Sequence, residues 1–357
     1  MNDVCWKRFA LLSANPHARS WLSIQADLQL APNTLIAYGR ALEDYLSFCA
    51  RNCVDADNAT REHLASFVRD LTHRPNPRGK TSPGANSKAG LANATLRQRL
   101  TAVRLYYDYL IEEGLRDTNP VGRGRYTANK GFGGQRERSL IPSYRKLPWI
   151  PTDDEWLAIV EAARSESLRN RLMLALAYDA GLRREELCAL ETSDFDPAQR
   201  LLRIRAETTK NRQGRVVPYS IATADLYTAY LRHRRQLTRA RGPLFLSESR
   251  RNPARPLTIW TWSKVVQSLA LRANVPRLTT HTMRHLCLTD LARAGWEIHE
   301  IALFAGHRNT ETTLTYIHLS GRDLAKKFAR GMATIHQWRV ALLSKGAEYE
   351  ATPTTSD

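Results

Sequence analysis

In the stretch 281–316, HTMRHLCLTDLARAGWEIHEIALFAGHRNTETTLTY, His281 and Arg284 stand one helical turn apart, Gly306 and His307 follow, and Tyr316 comes nine residues later. Cationic donors of this kind can clamp the oxygens of a phosphodiester while a phenol attacks the phosphorus. The H-x-x-R spacing is not diagnostic by itself. A second copy, His336 and Arg339, lies near the C-terminus, where a solvated helix face is the better reading. Taken alone, Tyr316 is better explained as a core residue of an amphipathic helix. Tyr178, Tyr219 and Tyr230 are read as packing residues, and His285 and His318 as non-catalytic, although His318 is within two residues of Tyr316.

Company upstream changes the weight of this stretch. Gly181-Leu182-Arg183 brings an arginine to a sharp corner at a helix start, and Glu186, three residues on, shares its face and can hold it in place. Lys210 stands in TTKNRQG, a turn-rich segment between two apolar runs, an exposed and movable place for a cation.

The elements that must carry these residues follow from periodicity. Helices are expected over 33–52 with Asn33 as N-cap, over 60–71 with Thr60 as cap, and from Thr95 to a stop at Gly114. The last of these carries Arg97, Arg99 and Arg104 on its outer face, and a mobile basic loop over 74–90 joins it to the helix before it. Residues 119–151 lack sustained periodicity and are rich in Gly, Pro and cations, Arg123, Arg125 and Lys130 among them. They read as a basic linker able to lie along a phosphate backbone. Beyond it, helices are expected over 153–165, 169–180 (apolar nearly all round, hence central and buried), 182–190, 223–235, 258–273, 281–294, 298–304, 310–318 and 322–343. A hairpin of 201–206 and 215–219 is the only β signal. The fold class expected is mainly α with a small sheet in the C-terminal domain (α+β). The domains are 1–118, all-helical; 119–151, linker; 152–345, with a C-terminal helix; and 346–357, a disordered tail. Trp260 and Trp262 are assigned to core packing over base stacking, and residues 232–235 to a phosphate-facing or solvated edge.

The charge balance names the class of partner. The 53 Lys and Arg against 35 Asp and Glu leave a net charge of +18, a footprint for a polyanion, most often nucleic acid. The five cysteines show no disulfide or zinc spacing. No stretch approaches a membrane span and no apolar leader is seen, so a cytoplasmic, nucleoid-associated place is expected.

Together the G-L-R-x-x-E-L corner, the T-K-N-R-Q-G-R-V-V-P hairpin, H-x-x-R-H, and G-H followed nine residues later by tyrosine resemble the boxes of the tyrosine recombinases of the phage-integrase family. The likeness covers roughly residues 150–340, and residues 15–115 are similar to the family's helical core-binding domain. It implies catalytic roles for Arg183, Lys210, His281, Arg284, His307 and Tyr316, with Glu186 in support, and DNA contacts for Arg97, Arg99, Arg104, Arg123, Arg125, Lys130 and Arg212. Two departures are visible. Ala305 stands where the family usually has leucine before Gly-His, and Arg212 and Gln213 occupy a turn usually richer in Gly and Lys, which bears on Lys210.

The implied reaction is site-specific cutting and rejoining of double-stranded DNA through a 3′-phosphotyrosine on Tyr316. Arg183 and Arg284 would hold the phosphate oxygens, and His307 would add a donor. His281 would accept the phenolic proton or orient a neighbour, and Lys210 would protonate the departing sugar oxygen. No cofactor or metal is called for: the chain has no Walker-type loop and no HExxH, and Asp153, Asp154 and Glu155 are contiguous. The working unit implied is a homotetramer on two DNA sites, with accessory proteins possible, and with the 322–343 helix docking on a neighbour or on its own domain. A relaxing topoisomerase, a telomere-resolving enzyme and a non-catalytic DNA-binding protein of the same fold are the rivals.

Overall fold

Asn15 and Pro16 set the first long helix: the Asn15 side chain accepts from the backbone N–H of Ala18, and Pro16 occupies the first helical position, where its missing N–H costs nothing. In the computed structural model the described residues are 4–74, 90–122, 141 and 147–319. The chain divides into two compact units, Met1–Arg145 and Lys146–Asp357.

The first unit is helical throughout its described residues: α1 (Ala10–Ala14), α2 (Pro16–Asp27), α3 (Pro32–Arg51), α4 (Arg61–His73) and α5 (Asn93–Glu112). α3 packs on α1, α2 and α5, and α5 also packs on α2 and α4. Its core is aromatic, built on Trp21, Tyr45, Phe67, Tyr106 and Tyr107. The buried phenols are satisfied, as burial demands: Tyr45 and Tyr107 share a hydrogen bond of 2.6 Å, and Tyr107 donates to the Ala56 carbonyl. α1 and α2 were not among the expected helices. Asn33 is not the cap of α3; Pro32 is already helical, so the cap falls on Ala31. Thr60 does cap α4. The expected outer face of α5 is not fully outward, since Arg97, Arg99 and Arg104 are all half-buried, and Arg99 is ion-paired with Asp44. The basic loop (75–89), most of the linker, Arg123, Arg125 and Lys130 included, and the 322–343 helix and tail lie outside the described residues.

The second unit opens with α6 (Asp153–Ala163), capped reciprocally by Thr152 and Glu155, and α7 (Leu168–Asp179). α7 is central as expected, against α9 (Ile221–Leu237) and α11 (Thr282–Arg293). Between them come α8 (Arg184–Cys188) and an antiparallel sheet, β1 (Phe195–Asp196), β2 (Leu201–Ile204) and β3 (Arg215–Pro218), in the order β1-β2-β3. The expected hairpin is β2 and β3, in a register that sets Leu202 against Val217 and Ile204 against Arg215. Leu202, Ile204 and Val217 face the core while Arg203 and Val216 face out, the period of two that a one-sided sheet requires. α10 (Ile259–Arg272), α12 (Ile298–Ala305) and α13 (Thr310–Leu319) complete the unit. The fold is therefore mainly helical with one small sheet, as expected.

Two side-chain assignments change. Trp262 is fully buried, but Trp260 is 69% exposed, with the Arg184 guanidinium 5.9 Å from its ring. Arg234 is no edge residue; it is buried and donates to the carbonyls of Ala240, Pro243 and Leu244. No helix among the described residues is long and apolar enough to cross a membrane, and the cysteines are free thiols.

Candidate active site

Arg183 sits at the N-cap of α8, held there by the carboxylate of Glu186. Its backbone N–H donates to Oε2 (3.0 Å), its Nη1 to Oε1 (2.8 Å) and its Nη2 to the Gly306 carbonyl (3.3 Å). Glu186 is only 1% exposed, and a second arginine grips it from the sheet: Arg215 on β3 donates from Nη1 and Nη2 to its two oxygens and from Nε to the Phe304 carbonyl. Burial pushes the Glu186 carboxyl up. The hydrogen bonds and charge of Arg215, then those of Arg183, outweigh it and hold it down at about 2.

Arg284 comes from the first turn of α11 and is buried. Its Nη1 donates to the Gly181 carbonyl at 2.5 Å, and its Nη2 donates to the Ala305 carbonyl at 2.6 Å and meets His307 Nε2 at 3.0 Å. Burial, then the neighbouring Arg183, lowers its pKa to about 10, which leaves it a cation at neutral pH. The two carbonyls are presented by helix ends. Gly181 follows α7 with φ of +53°, and Gly306 closes α12 at φ 62°, ψ 48°, left-handed conformations that suit glycine.

His307 follows that corner. An arginine can only donate, so Nε2 must accept from Arg284; the proton is then on Nδ1, facing Thr313 Oγ1 at 2.9 Å. Burial, then Arg284 and Arg183, lowers its pKa to about 3, so it is neutral. In this state its Nε2 is an acceptor, where a donor was expected. Its ring lies parallel to that of Tyr316, 8° between planes and 6.0 Å between centres.

Tyr316 on α13 is 4% exposed, and its hydroxyl meets His285 Nδ1 at 3.0 Å. Burial raises its pKa, and Arg284 and Arg183 pull the other way. Burial lowers His285, one residue past Arg284, to about 4, with His281 and Arg284 adding to the effect. His281, at the N-cap of α11, is only partly covered, and that partial burial lowers its pKa as well.

Arg183, Lys210, His281, Arg284, His307 and Tyr316 thus line one open cavity of about 330 Å³, with Asn211, His285, Arg308, Asn309 and Thr312. Glu186 stands behind it. Lys210 is exposed, and its neighbour Asn211 donates to the Gly306 carbonyl at 3.2 Å. Arg212, one residue on, is exposed with φ of 54°. Arg97, Arg99 and Arg104 belong to the other unit, and the side chain of His318 lies outside the described residues. Among the described residues no group of three or more His, Cys, Asp or Glu is placed to hold a metal ion. Three arginines against one carboxylate, with the histidines neutral, leave the centre positive: a seat for an anion.

Two residues beside this centre were given no role from the sequence: Arg215 appeared only within the hairpin, and His285 was set aside as non-catalytic. Arg215 carried a signal, since it shares the core face of β3 with Val217, and an arginine on a buried strand face needs an acid partner. His285 carried none beyond its place after Arg284, because its link to Tyr316 spans 31 residues.

The boxes and this geometry have counterparts. Residues 151–322 match the phage integrase family, and residues 20–114 match the phage integrase N-terminal SAM-like domain. The chain belongs to the phage integrase family. Relatives in the family include tyrosine recombinase XerD of Caulobacter vibrioides, 28% identical over 312 residues, covering 83% of this chain and 88% of the relative. Tyrosine recombinase XerC of Mycobacterium leprae is 26% identical and covers 78% and 94%. Among solved structures, the XerH site-specific recombinase bound to a palindromic difH substrate has a TM-score of 0.62 at 18% identity, over 83% of this chain and 79% of that one. A lambda integrase dimer bound to a COC′ core site has a TM-score of 0.58 at 18% identity, over 84% and 93%. The integrase fold is thus shared well below the identity at which function transfers.

Proposed function

We propose that this phage-integrase family member is a site-specific DNA recombinase that cuts and rejoins double-stranded DNA through a covalent 3′-phosphotyrosine on Tyr316. The observation that carries the reading is the meeting of a buried tyrosine with two arginines, Arg183 and Arg284, in one positive cavity. A phosphodiester under in-line attack gathers charge on its non-bridging oxygens, and arginines keep their charge where other cations lose it. Arg183, braced by Glu186 and Arg215, and Arg284, braced by two backbone carbonyls, can meet those oxygens without reorganising. Lys210 at the exposed rim protonates the departing 5′-oxygen, and His281 at the mouth orients the strand. The bond energy is kept in the tyrosyl ester, so resealing consumes no ATP, and the arginines supply the positive charge that a metal would otherwise bring.

Two of the similar solved structures, XerH and lambda integrase, hold recombination-site DNA, which supports DNA as the substrate here. The helical N-terminal unit and the basic residues after it, Arg123, Arg125 and Lys130, would complete the grip on the duplex. Exchange of four strands with one tyrosine per chain calls for a homotetramer on two sites. The domain limits proposed are 1–118, 119–151, 152–345 and 346–357.

The test uses duplexes tiling the DNA that flanks the coding sequence, each nicked so that a cleaved strand cannot reseal, incubated with EDTA and without nucleotide. The expected result is a protein–DNA adduct on a denaturing gel from the wild type and none from Tyr316→Phe. No adduct on any duplex, or an adduct that survives Tyr316→Phe, refutes the reading.

A further inference from the structure

The proton of Tyr316 must leave as its oxygen attacks, and the geometry places an imidazole nitrogen within hydrogen-bond reach of that oxygen. His285 Nδ1 lies 3.0 Å from the phenolic oxygen, with the two rings 5.7 Å apart and inclined by 33°. His281, expected for this task from the sequence, stands one turn back along α11, its ring 6.2 Å from that of His285 and exposed at the cavity mouth. The i, i+4 spacing puts both histidines on the cavity side of α11, while Arg284 between them turns inward to its carbonyls.

We propose that His285 accepts the proton of Tyr316 during strand cleavage and returns it on resealing. The proposal rests on the covalent reading above. In cleavage the Tyr316 O–H bond breaks as the oxygen–phosphorus bond forms, and the proton moves to Nδ1. The bond from phosphorus to the 5′-oxygen breaks, and that oxygen takes a proton from Lys210. Resealing reverses each transfer: the attacking 5′-hydroxyl gives its proton to Lys210, and the expelled tyrosyl oxygen regains its own from His285.

The surroundings suit an acceptor. His285 is faced by His281 and Arg284 on its own helix, by Tyr316 on α13, and by His307 beyond the tyrosine. Burial and the first two keep its ring neutral in the empty site, and in the tautomer that carries its proton on Nε2 the Nδ1 lone pair accepts from the Tyr316 hydroxyl. A phosphodiester seated on Arg284 brings a negative charge that offsets that arginine, and the basicity of His285 rises as the substrate arrives.

The experiment is single-turnover cleavage of the nicked duplex by wild type, His285→Ala, His285→Asn and Tyr316→Phe from pH 6 to pH 9, with and without added imidazole. DNA binding is followed by gel shift, and folding by thermal melting. His285→Asn can accept a hydrogen bond but not a proton, which separates holding the hydroxyl from taking its hydrogen. The expected result is that both His285 variants bind DNA as the wild type does and cleave about 10²- to 10⁴-fold more slowly at pH 7, the range of general-base catalysis. The deficit should shrink as pH rises and the phenol ionises unaided, and imidazole should recover part of the His285→Ala loss. Cleavage by either variant within threefold of wild type overturns the proposal. So does a deficit that is constant with pH and indifferent to imidazole, or an Asn variant that cleaves normally. A wild type that gives no adduct removes the covalent reading and this step with it, whereas an adduct that needs Tyr316 but not His285 removes this step alone.

Discussion

Replacing Glu186 by glutamine keeps its shape and deletes a charge that two arginines share. The side chain is 1% exposed, and that of Arg215 is 5% exposed, so the interaction is almost unscreened by water. Moving a carboxyl from its ordinary 4.5 to about 2 corresponds to about 3 kcal/mol at about 1.4 kcal/mol per pH unit. Removing one partner of a buried ion pair costs a similar amount, about 3–5 kcal/mol, because the survivor is left unpaired. A folded-state pKa below the unfolded one gives stability that is fully present above pH 4.5 and is lost as pH falls toward 2. Urea unfolding of the catalytic unit within the full chain should therefore show Glu186→Gln less stable by about 3 kcal/mol at pH 7, with the gap narrowing at pH 4 and again at pH 3. Loss of the brace should also loosen Arg183, and an arginine misplaced by about 1 Å costs on the order of 10²-fold in cleavage. A gap under about 1 kcal/mol, or one that stays level from pH 7 to pH 3, would refute the shared-carboxylate account.

Other consequences are as concrete. Gly306→Ala should lose about 1–2 kcal/mol in unfolding experiments, since the residue is left-handed and an added Cβ would stand 3.0 Å from Arg215 Nη1. His307 is held neutral to about pH 3, whereas an unfolded histidine takes up a proton near pH 6.5, so protonation favours the unfolded chain as pH falls between the two. His307→Asn should therefore lose less stability than wild type between pH 6.5 and pH 4, as followed by melting temperature. Trp262→Ala should cost about 3–5 kcal/mol from the buried core, while Trp260→Ala, at 69% exposure, should stay within about 0.5 kcal/mol of wild type by urea unfolding.

Legibility in the sequence followed the range of each interaction. Tyr316, His281 and Arg284 lie on helices whose periodicity is local, and Gly306 announces a helix end by its own conformational freedom, so this half of the cavity could be laid out from spacing. Thr60 announces its cap for the same reason. The Asn15-Pro16 start of α2 was equally local and went unused, although Ala18, Trp21, Leu22 and Ala26 recur behind it at helical spacing. β1 is two residues long, too short for any period to register. What spacing could not supply was pairing across the fold. Arg215 reaches Glu186 across 29 residues and His285 reaches Tyr316 across 31, and nothing local to either residue names its partner. The difference between Trp260 and Trp262 is likewise a matter of which face of α10 the rest of the unit covers.

The hold on Arg284 sets a limit on how this site can change. Its anchors at Gly181 and Ala305 are backbone carbonyls, placed by where helices stop. Drift in the surrounding side chains leaves these anchors untouched, which is why alanine can stand at 305 where leucine is usual: that position contributes its oxygen, and its side chain only fills space. The same arrangement closes the route back from damage. A lysine at 284 has one point of charge and cannot bridge two carbonyls while facing a phosphate. No second-site exchange of side chains can move a carbonyl to meet it; only a shift in a helix end could, and that would displace Arg183 as well, because Gly306 holds both ends of the grip together.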